Sequence, residues 1–142
     1  MVTGMSSPTP VRDPRARRPR WPRPVFALTS TVSAVMIFDQ AVFAGQFLSG
    51  SYDALHVHRE NATYAGISVL VSVVAAVLIR RPGGGPWWPA IAGLGLFGLI
   101  ALQIALGFAR VITVHVPLGV VIILGATALA VVSWRLAWPG AA

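Results

Sequence analysis

Two histidines stand at the start of long apolar runs, and each is followed four residues later by a small residue. The pairs are His58 with Ala62, in the stretch DALHVHRENATYAG, and His115 with Gly119, in TVHVPLG. Residues i and i+4 lie on the same face of a helix, so each imidazole lies beside a strip where a flat ligand can approach the backbone. Neutral imidazole is a common metal ligand. The pattern therefore predicts that His58 and His115 are the two axial ligands of a haem iron held between helices.

A third histidine, His56, is the alternative ligand on the first of these runs. Residues i and i+2 are about 200° apart around a helix, so His56 and His58 cannot both face the axis of a bundle. His58 shares its face with Ala62 and further small residues, whereas His56 shares its face with Glu60. The sequence favours His58 as the ligand and leaves His56 as a rim residue or, alternatively, as the acid or base in a proton step.

The composition indicates an integral membrane protein. Of the 142 residues, 56% are hydrophobic and only 11% are charged, and the mean hydropathy is +0.73. Soluble domains carry roughly 25% charged residues. The formal net charge of +7 does not indicate nucleic-acid binding, because the basic residues lie in the N-terminal tail and in short loops. The absence of cysteine excludes disulfides, thiolate metal sites and covalently attached c-type haem.

Four apolar runs are each long enough to cross a bilayer, which takes about 20 residues. We predict an all-α fold, an integral membrane four-helix up-down bundle, preceded by a disordered basic tail over residues 1–24. The spans are expected at about residues 25–49, 56–79, 87–109 and 114–138. A cleaved signal peptide is the alternative for the first run, but that run is longer than a signal segment and contains Asp39 and Gln40.

The arginines predict the orientation of the bundle. Nine of the eleven basic residues lie in the tail, after the second span or at the end of the fourth, and only Arg59 and Arg110 lie on the other side. Short cytoplasmic loops carry the excess of positive charge, so we expect a multi-pass protein of the cell (plasma) membrane with both termini cytoplasmic. The second and fourth helices then run in the same direction and are diagonal in the bundle, which places His58 and His115 at similar depths near the outer surface.

The two outer arginines flank the two ligand candidates. Arg59 follows His58 directly, and Arg110 lies five residues before His115. A guanidinium group binds a carboxylate through charge-assisted hydrogen bonds. Haem propionates and lipid headgroups are the two alternatives for the partners of Arg59 and Arg110.

Three polar residues inside the predicted spans form a second candidate site: Asp39, Gln46 and Gln103. Asp39 is expected about 15 Å deep, where an aspartate costs roughly 2.5–3.5 kcal/mol on insertion scales. Because Gln46 lies two turns further on, we expect an inward-facing polar strip. This strip is either a proton or quinol site or a protonated aspartate whose hydrogen bond specifies packing.

The chain has a weak internal repeat that resembles a known family. QAVFAG, from Gln40, precedes the first histidine pair, and QIALG, from Gln103, precedes His115. With His-Arg and His-x-x-x-Gly opening the even helices, the chain resembles one four-helix half of the haem A synthases, and also small bacterial four-helix membrane proteins of that build. The resemblance spans roughly residues 25–138 and implies that His58 and His115 are haem ligands.

The chain departs from the synthase pattern in two ways. Leu55 occupies the position where that pattern has a carboxylate, and the chain supplies one half instead of two. We therefore expect a b-type haem-binding protein that transfers electrons near the outer face, with a quinol or a redox protein as partner, rather than a synthase. The alternative is a non-enzymatic four-helix subunit or scaffold without cofactor. The sequence leaves open whether the chain is an enzyme and whether it forms homo- or hetero-oligomers.

Overall fold

The computed structural model describes residues 19–81 and 83–138, which form four helices and, over this part of the chain, no strand. The helices are α1 (Pro22–Leu48), α2 (Ala54–Arg80), α3 (Trp88–Phe108) and α4 (Ile112–Ala137). All four are long and apolar enough to cross a membrane. The predicted all-helical class and the four candidate spans are confirmed. Most of the predicted tail, residues 1–18, lies outside the described residues.

Helix α1 begins inside the stretch that was assigned to the tail. It starts at Pro22, instead of residue 25, and has proline in its first turn. The N–H groups of a first turn have no partner within the helix, so a proline there loses no hydrogen bond and its fixed φ favours the helical conformation. The apolar pattern marks where the membrane-spanning run begins, whereas these prolines allow the helix to begin one turn earlier.

Helix α4 also begins earlier than residue 114, where the sequence placed its start, and this changes the role of Pro117. The helix starts at Ile112, so Pro117 lies inside it rather than in the first turn. Proline has no N–H group, and the carbonyl of Thr113 therefore lacks its usual donor from four residues on. The interruption lies two residues from His115.

The four helices form a ring in which each helix packs against its two neighbours. Helix α1 contacts α2 and α4, and α3 contacts the same two helices, whereas α2 does not pack against α4 along its length. Helices α2 and α4 are therefore diagonal. We call the end of the bundle that carries the loops 49–53 and 109–111 the histidine end, because His58 and His115 lie one to two turns from it.

Small residues bring the helices close together in the core. Helix α2 buries several alanines, among them Ala65 and Ala76. Of the α3 glycines Gly93, Gly95 and Gly98, only Gly93 faces a neighbouring helix of the chain, because a Cβ built on it would lie 2.7 Å from Cγ2 of Val73, whereas Gly95 and Gly98 would meet nothing within 4 Å. Of these three glycines, Gly93 alone therefore makes a close contact with α2.

Gly93→Ala should destabilise the bundle relative to Gly95→Ala. The added methyl on Gly93 must displace the Val73 side chain, and overpacking of this kind costs roughly 1–3 kcal/mol. Reversible unfolding in mixed micelles measures the difference. Val73→Ala in the Gly93→Ala background should recover most of the loss, and equal stability of the two glycine variants would contradict the close contact.

Candidate functional site

The histidine end of the bundle is less closely packed than the opposite end. The buried core stops at one level, formed by Ile37, Ala65, Ile100 and Ile122 from the four helices. Beyond this layer towards the loops, Ala54 is the only buried residue within the four helices. No other side chain of the helices in this region is fully buried, and the four buried apolar side chains lie between it and the rest of the core.

The rings of His58 and His115 face each other across this region, from diagonal helices. Their centroids are 6.4 Å apart and their planes are inclined by 58°. Imidazole nitrogens bind metals such as zinc at about 2 Å, so two imidazoles on opposite sides of one metal ion have ring centroids about 6 Å apart. The angle between the planes is compatible with this, because each ring can rotate about its bond to the metal. The observed separation of 6.4 Å is compatible with that spacing.

Both histidines have the same tautomer, and the backbone determines it. Nδ1 of His58 lies 3.1 Å from the carbonyl oxygen of Gln40, and Nδ1 of His115 lies 2.9 Å from that of Gln103. A carbonyl oxygen can only accept, so each Nδ1 carries the proton and donates it. In the neutral imidazole, Nε2 then carries no proton and has a free lone pair. This is how a second partner orients histidine ligands in metal sites.

Helices α3 and α4 interlock through two glutamine–histidine contacts. While Nδ1–H of His115 donates to Gln103, the Nε2 amide of Gln103 donates back to the carbonyl oxygen of His115 at 2.8 Å. Each side chain lies over a glycine of the other helix. A Cβ on Gly107 would lie 3.1 Å from Cε1 of His115, and one on Gly119 would lie 3.0 Å from Nε2 of Gln103. Gly119, which was expected to border the flat ligand, makes room for the Gln103 amide instead.

The first hairpin repeats half of this arrangement. His58 donates to the carbonyl of Gln40, but the Nε2 amide of Gln40 is buried and has no hydrogen-bond partner among the described residues. Ala62 occupies the position that corresponds to Gly119. Asn61 supplies a further link between α1 and α2, because its Nδ2 donates to the carbonyl oxygen of Met36 at 2.8 Å. The α1–α2 and α3–α4 hairpins share a sequence pattern of glutamine before histidine, and in both the histidine donates from Nδ1 to the backbone carbonyl of that glutamine.

The structure places His56 away from the axis, at the rim. Its side chain is 76% exposed, and its Nε2 lies 3.2 Å from Oε1 of Glu60 one turn further along α2. His58, two residues on, is half-buried. The alternative ligand His56 could reach the position opposite His115 only if α2 rotated by about half a turn.

The two arginines are exposed at the histidine end and form no ion pair with a described residue. The guanidinium carbon of Arg59 lies 4.8 Å from the centre of the Phe108 ring. Arg110 has a φ of 58°, a left-handed conformation that glycine usually adopts where a helix ends. Val111 N–H donates to the Leu106 carbonyl there, which closes the end of α3. Both guanidinium groups remain able to bind an anion.

The residues of the second candidate site do not all lie together. Asp39 follows the buried Ile37 by two residues, about 200° around the helix, and therefore lies on the side of α1 that faces away from the core. It is half-buried, and Gln46 is exposed. Gln103 is separate from both and belongs to the histidine site. The spacing of Asp39 and Gln46 aligns them with each other but not with the buried Ile37, and the inward-facing strip stays a prediction.

The protein ligands available to a metal or cofactor at this site are few. Over residues 19–81 and 83–138, no group of three or more histidine, aspartate or glutamate side chains is arranged to hold a metal. A b-type haem takes four nitrogens from the porphyrin and needs only axial ligands from the protein. Two opposed imidazoles are enough for that, and a third ligand is not required.

The sequence did not reveal what Gln40, Gln103, Gly107 and Asn61 do. The repeat of glutamine before histidine was visible, but its meaning was not, because the contact that both hairpins share uses the backbone carbonyl of each glutamine. Asn61 follows His58 by three residues, and this spacing on one helix face is the only signal that could have predicted their shared contact with α1.

Comparison with known proteins adds no assignment to this geometry. The chain matches no family model, no curated protein and no solved structure.

Proposed function

We propose that the chain is a small integral membrane protein that binds one b-type haem between His58 and His115 and transfers electrons near the outer face of the membrane. The observation that carries the proposal is the pair of imidazoles 6.4 Å apart on diagonal helices, each with Nδ1–H donated to a helix carbonyl. When bound, the haem supplies one-electron redox chemistry at its iron.

The residues of the chain fit this role in three ways. His58 and His115 face each other from diagonal helices, and their Nδ1 hydrogen bonds orient the rings and leave Nε2 of the neutral imidazole free to bind a metal. The helical turns at the histidine end contain Ala54 as their one fully buried residue, so this end is packed less closely than the core. Arg59 and Arg110 are exposed there and form no ion pair with a described residue, so they are suited to bind propionates.

The burial pattern favours electron exchange at the histidine end. The apolar layer beneath the histidines contains Ile37, Ala65, Ile100 and Ile122, each no more than 6% exposed. It separates the imidazoles from the opposite end of the bundle. A quinol or a redox protein would therefore reach the site from the histidine end, and the bilayer surrounds the bundle. Nothing in the site favours nucleic acid.

The proposed orientation puts the histidine end on the outer side of the plasma membrane. Nine of the eleven basic residues lie in the tail or the first turn of α1, at the end of α2 and directly after it, or at the end of α4, and the positive-inside rule makes this side cytoplasmic. A reporter fused after Ala142 should therefore be active only if it functions in the cytoplasm. A mature N-terminus at Gly45, found by N-terminal sequencing, would mean that α1 is a cleaved leader and would overturn this topology.

Sided reduction tests the proposed electron transfer. Haem-loaded protein in proteoliposomes should be reduced quickly by a membrane-impermeant reductant only where the histidine end faces outwards. Trypsin identifies the opposite population, because the arginine-rich tail is then accessible and is cut. If vesicles with the tail outside were reduced at the same rate, access from the histidine end would be excluded.

A cofactor-free subunit or scaffold is the second candidate, and one observation favours it. The two hydrogen bonds between Gln103 and His115 connect α3 to α4 without any ligand, so His115 also has a structural role in the hairpin. If the chain is such a subunit, the purified protein should bind no haem and should be recovered in a complex with other membrane subunits.

A further inference from the structure

Three serines lie buried together in the middle of the bundle, on the far side of the apolar layer from the histidines. Ser30 and Ser33 belong to α1 and Ser72 belongs to α2, and each is at most 3% exposed. They line one small cavity, whose other walls are apolar side chains such as Leu96 and Leu129. Ser30 and Ser33 lie about 12–17 Å from the start of α1 at 1.5 Å per residue, within the hydrocarbon-spanning part of the helix.

The hydroxyl groups of these serines have unused hydrogen-bonding capacity. Ser33 donates to the carbonyl oxygen of Thr29 at 2.9 Å, and the oxygens of Ser33 and Ser72 lie 3.3 Å apart. Ser72 donates either to Ser33 or to the carbonyl of Ser68, at 3.2 Å. Each hydroxyl oxygen accepts up to two hydrogen bonds, so both keep a free lone pair. The Oγ of Ser30 has no partner at all among the described residues.

The cavity is the size of a site for a single water molecule. The centre of a water molecule can occupy about 10 Å³ within it. A site that binds one water needs roughly 10–15 Å³ by this measure and two to four polar partners. The three serines provide one donor, the Ser30 hydroxyl, and acceptors on Ser33 and Ser72.

We propose that this cavity is a binding site for one water molecule, which accepts a hydrogen bond from Ser30 and donates to Ser33 and Ser72. The water satisfies the Ser30 hydroxyl and joins α1 to α2 near the middle of the membrane. This site is independent of haem binding, since the layer of Ile37, Ala65, Ile100 and Ile122 separates it from the histidines.

A structure of the full chain at about 2 Å resolution should show one solvent peak within hydrogen-bonding distance of the three serine oxygens. Ser30→Ala should remove the peak and raise the unfolding constant in mixed micelles about threefold to tenfold. Ser133→Ala is the matched control, because Ser133 is equally buried but donates to the carbonyl of Ala130 on its own helix; it should keep the peak and lose less stability.

Two results would overturn the proposal. One is the absence of a solvent peak between the three oxygens in the wild-type protein, or a peak that persists in Ser30→Ala. The other is a Ser30→Ala variant as stable as the wild type or more stable, which is expected if its hydroxyl is simply buried without a partner, because removing an unsatisfied polar group is favourable.

Discussion

His58→Ala and His115→Ala should each abolish the low-spin haem spectrum, whereas His56→Ala should leave it nearly unchanged. A six-coordinate bis-imidazole iron needs both opposed rings, which lie on different helices at one level. His56 is exposed and paired with Glu60, so its loss removes no ligand. Visible absorption of the purified, reduced variants measures the effect, with circular dichroism to check that each remains helical.

The pattern over the three variants discriminates between explanations. General misfolding would make all of them fail alike. Loss of the spectrum in His56→Ala but not in His58→Ala would mean that α2 is rotated relative to the structure. The proposal that the chain binds haem would then stand, with His56 as the ligand. Retention of the low-spin bands in His115→Ala would exclude ligation between α2 and α4.

Gly107→Leu should weaken the affinity for haem about 5-fold to 150-fold without removing a ligand. A Cβ at this position would lie 3.1 Å from Cε1 and 3.4 Å from Nδ1 of His115, so a leucine displaces the ring from the carbonyl of Gln103. Overpacking of this kind costs roughly 1–3 kcal/mol, which corresponds to about 5-fold to 150-fold in an equilibrium constant. Titration of the purified protein with haem measures the change.

Gly98→Leu is the matched control on the same helix. Nothing lies within 4 Å of a Cβ built on Gly98, so a leucine there extends into the surroundings of the bundle and should bind haem as the wild type does. Equal haem affinity of the Gly107→Leu and Gly98→Leu variants would show that the position of the His115 ring does not depend on Gly107.

The helices and their number could be predicted from the sequence because hydrophobic length is a local property. The ends of α1 and α4 could not, since Pro22 lies in a first turn, which tolerates it, and Pro117 lies inside a helix despite its missing N–H. The choice of His58 over His56 rested on the character of two helix faces, and the structure places His58 opposite His115.

The contacts around the histidines could not be predicted from the sequence, for a physical reason. Backbone carbonyls accept the Nδ1 hydrogen bonds, and a backbone group carries no residue-specific signal. The cost of Asp39 in a membrane does not reveal its position relative to the buried face of α1, which Ser33 and Ile37 define. Spacing shows which residues share a face, but only tertiary packing shows which face is buried.

The optical spectrum of the purified wild-type protein tests the central claim most directly. The protein should be expressed with haem supplementation, purified in detergent and measured in the oxidised and reduced states. A single low-spin b-type haem per chain, with sharp reduced bands, is the predicted result. A protein that stays helical but is colourless after supplementation, and that takes up no haem on titration, would contradict the account and leave the cofactor-free subunit.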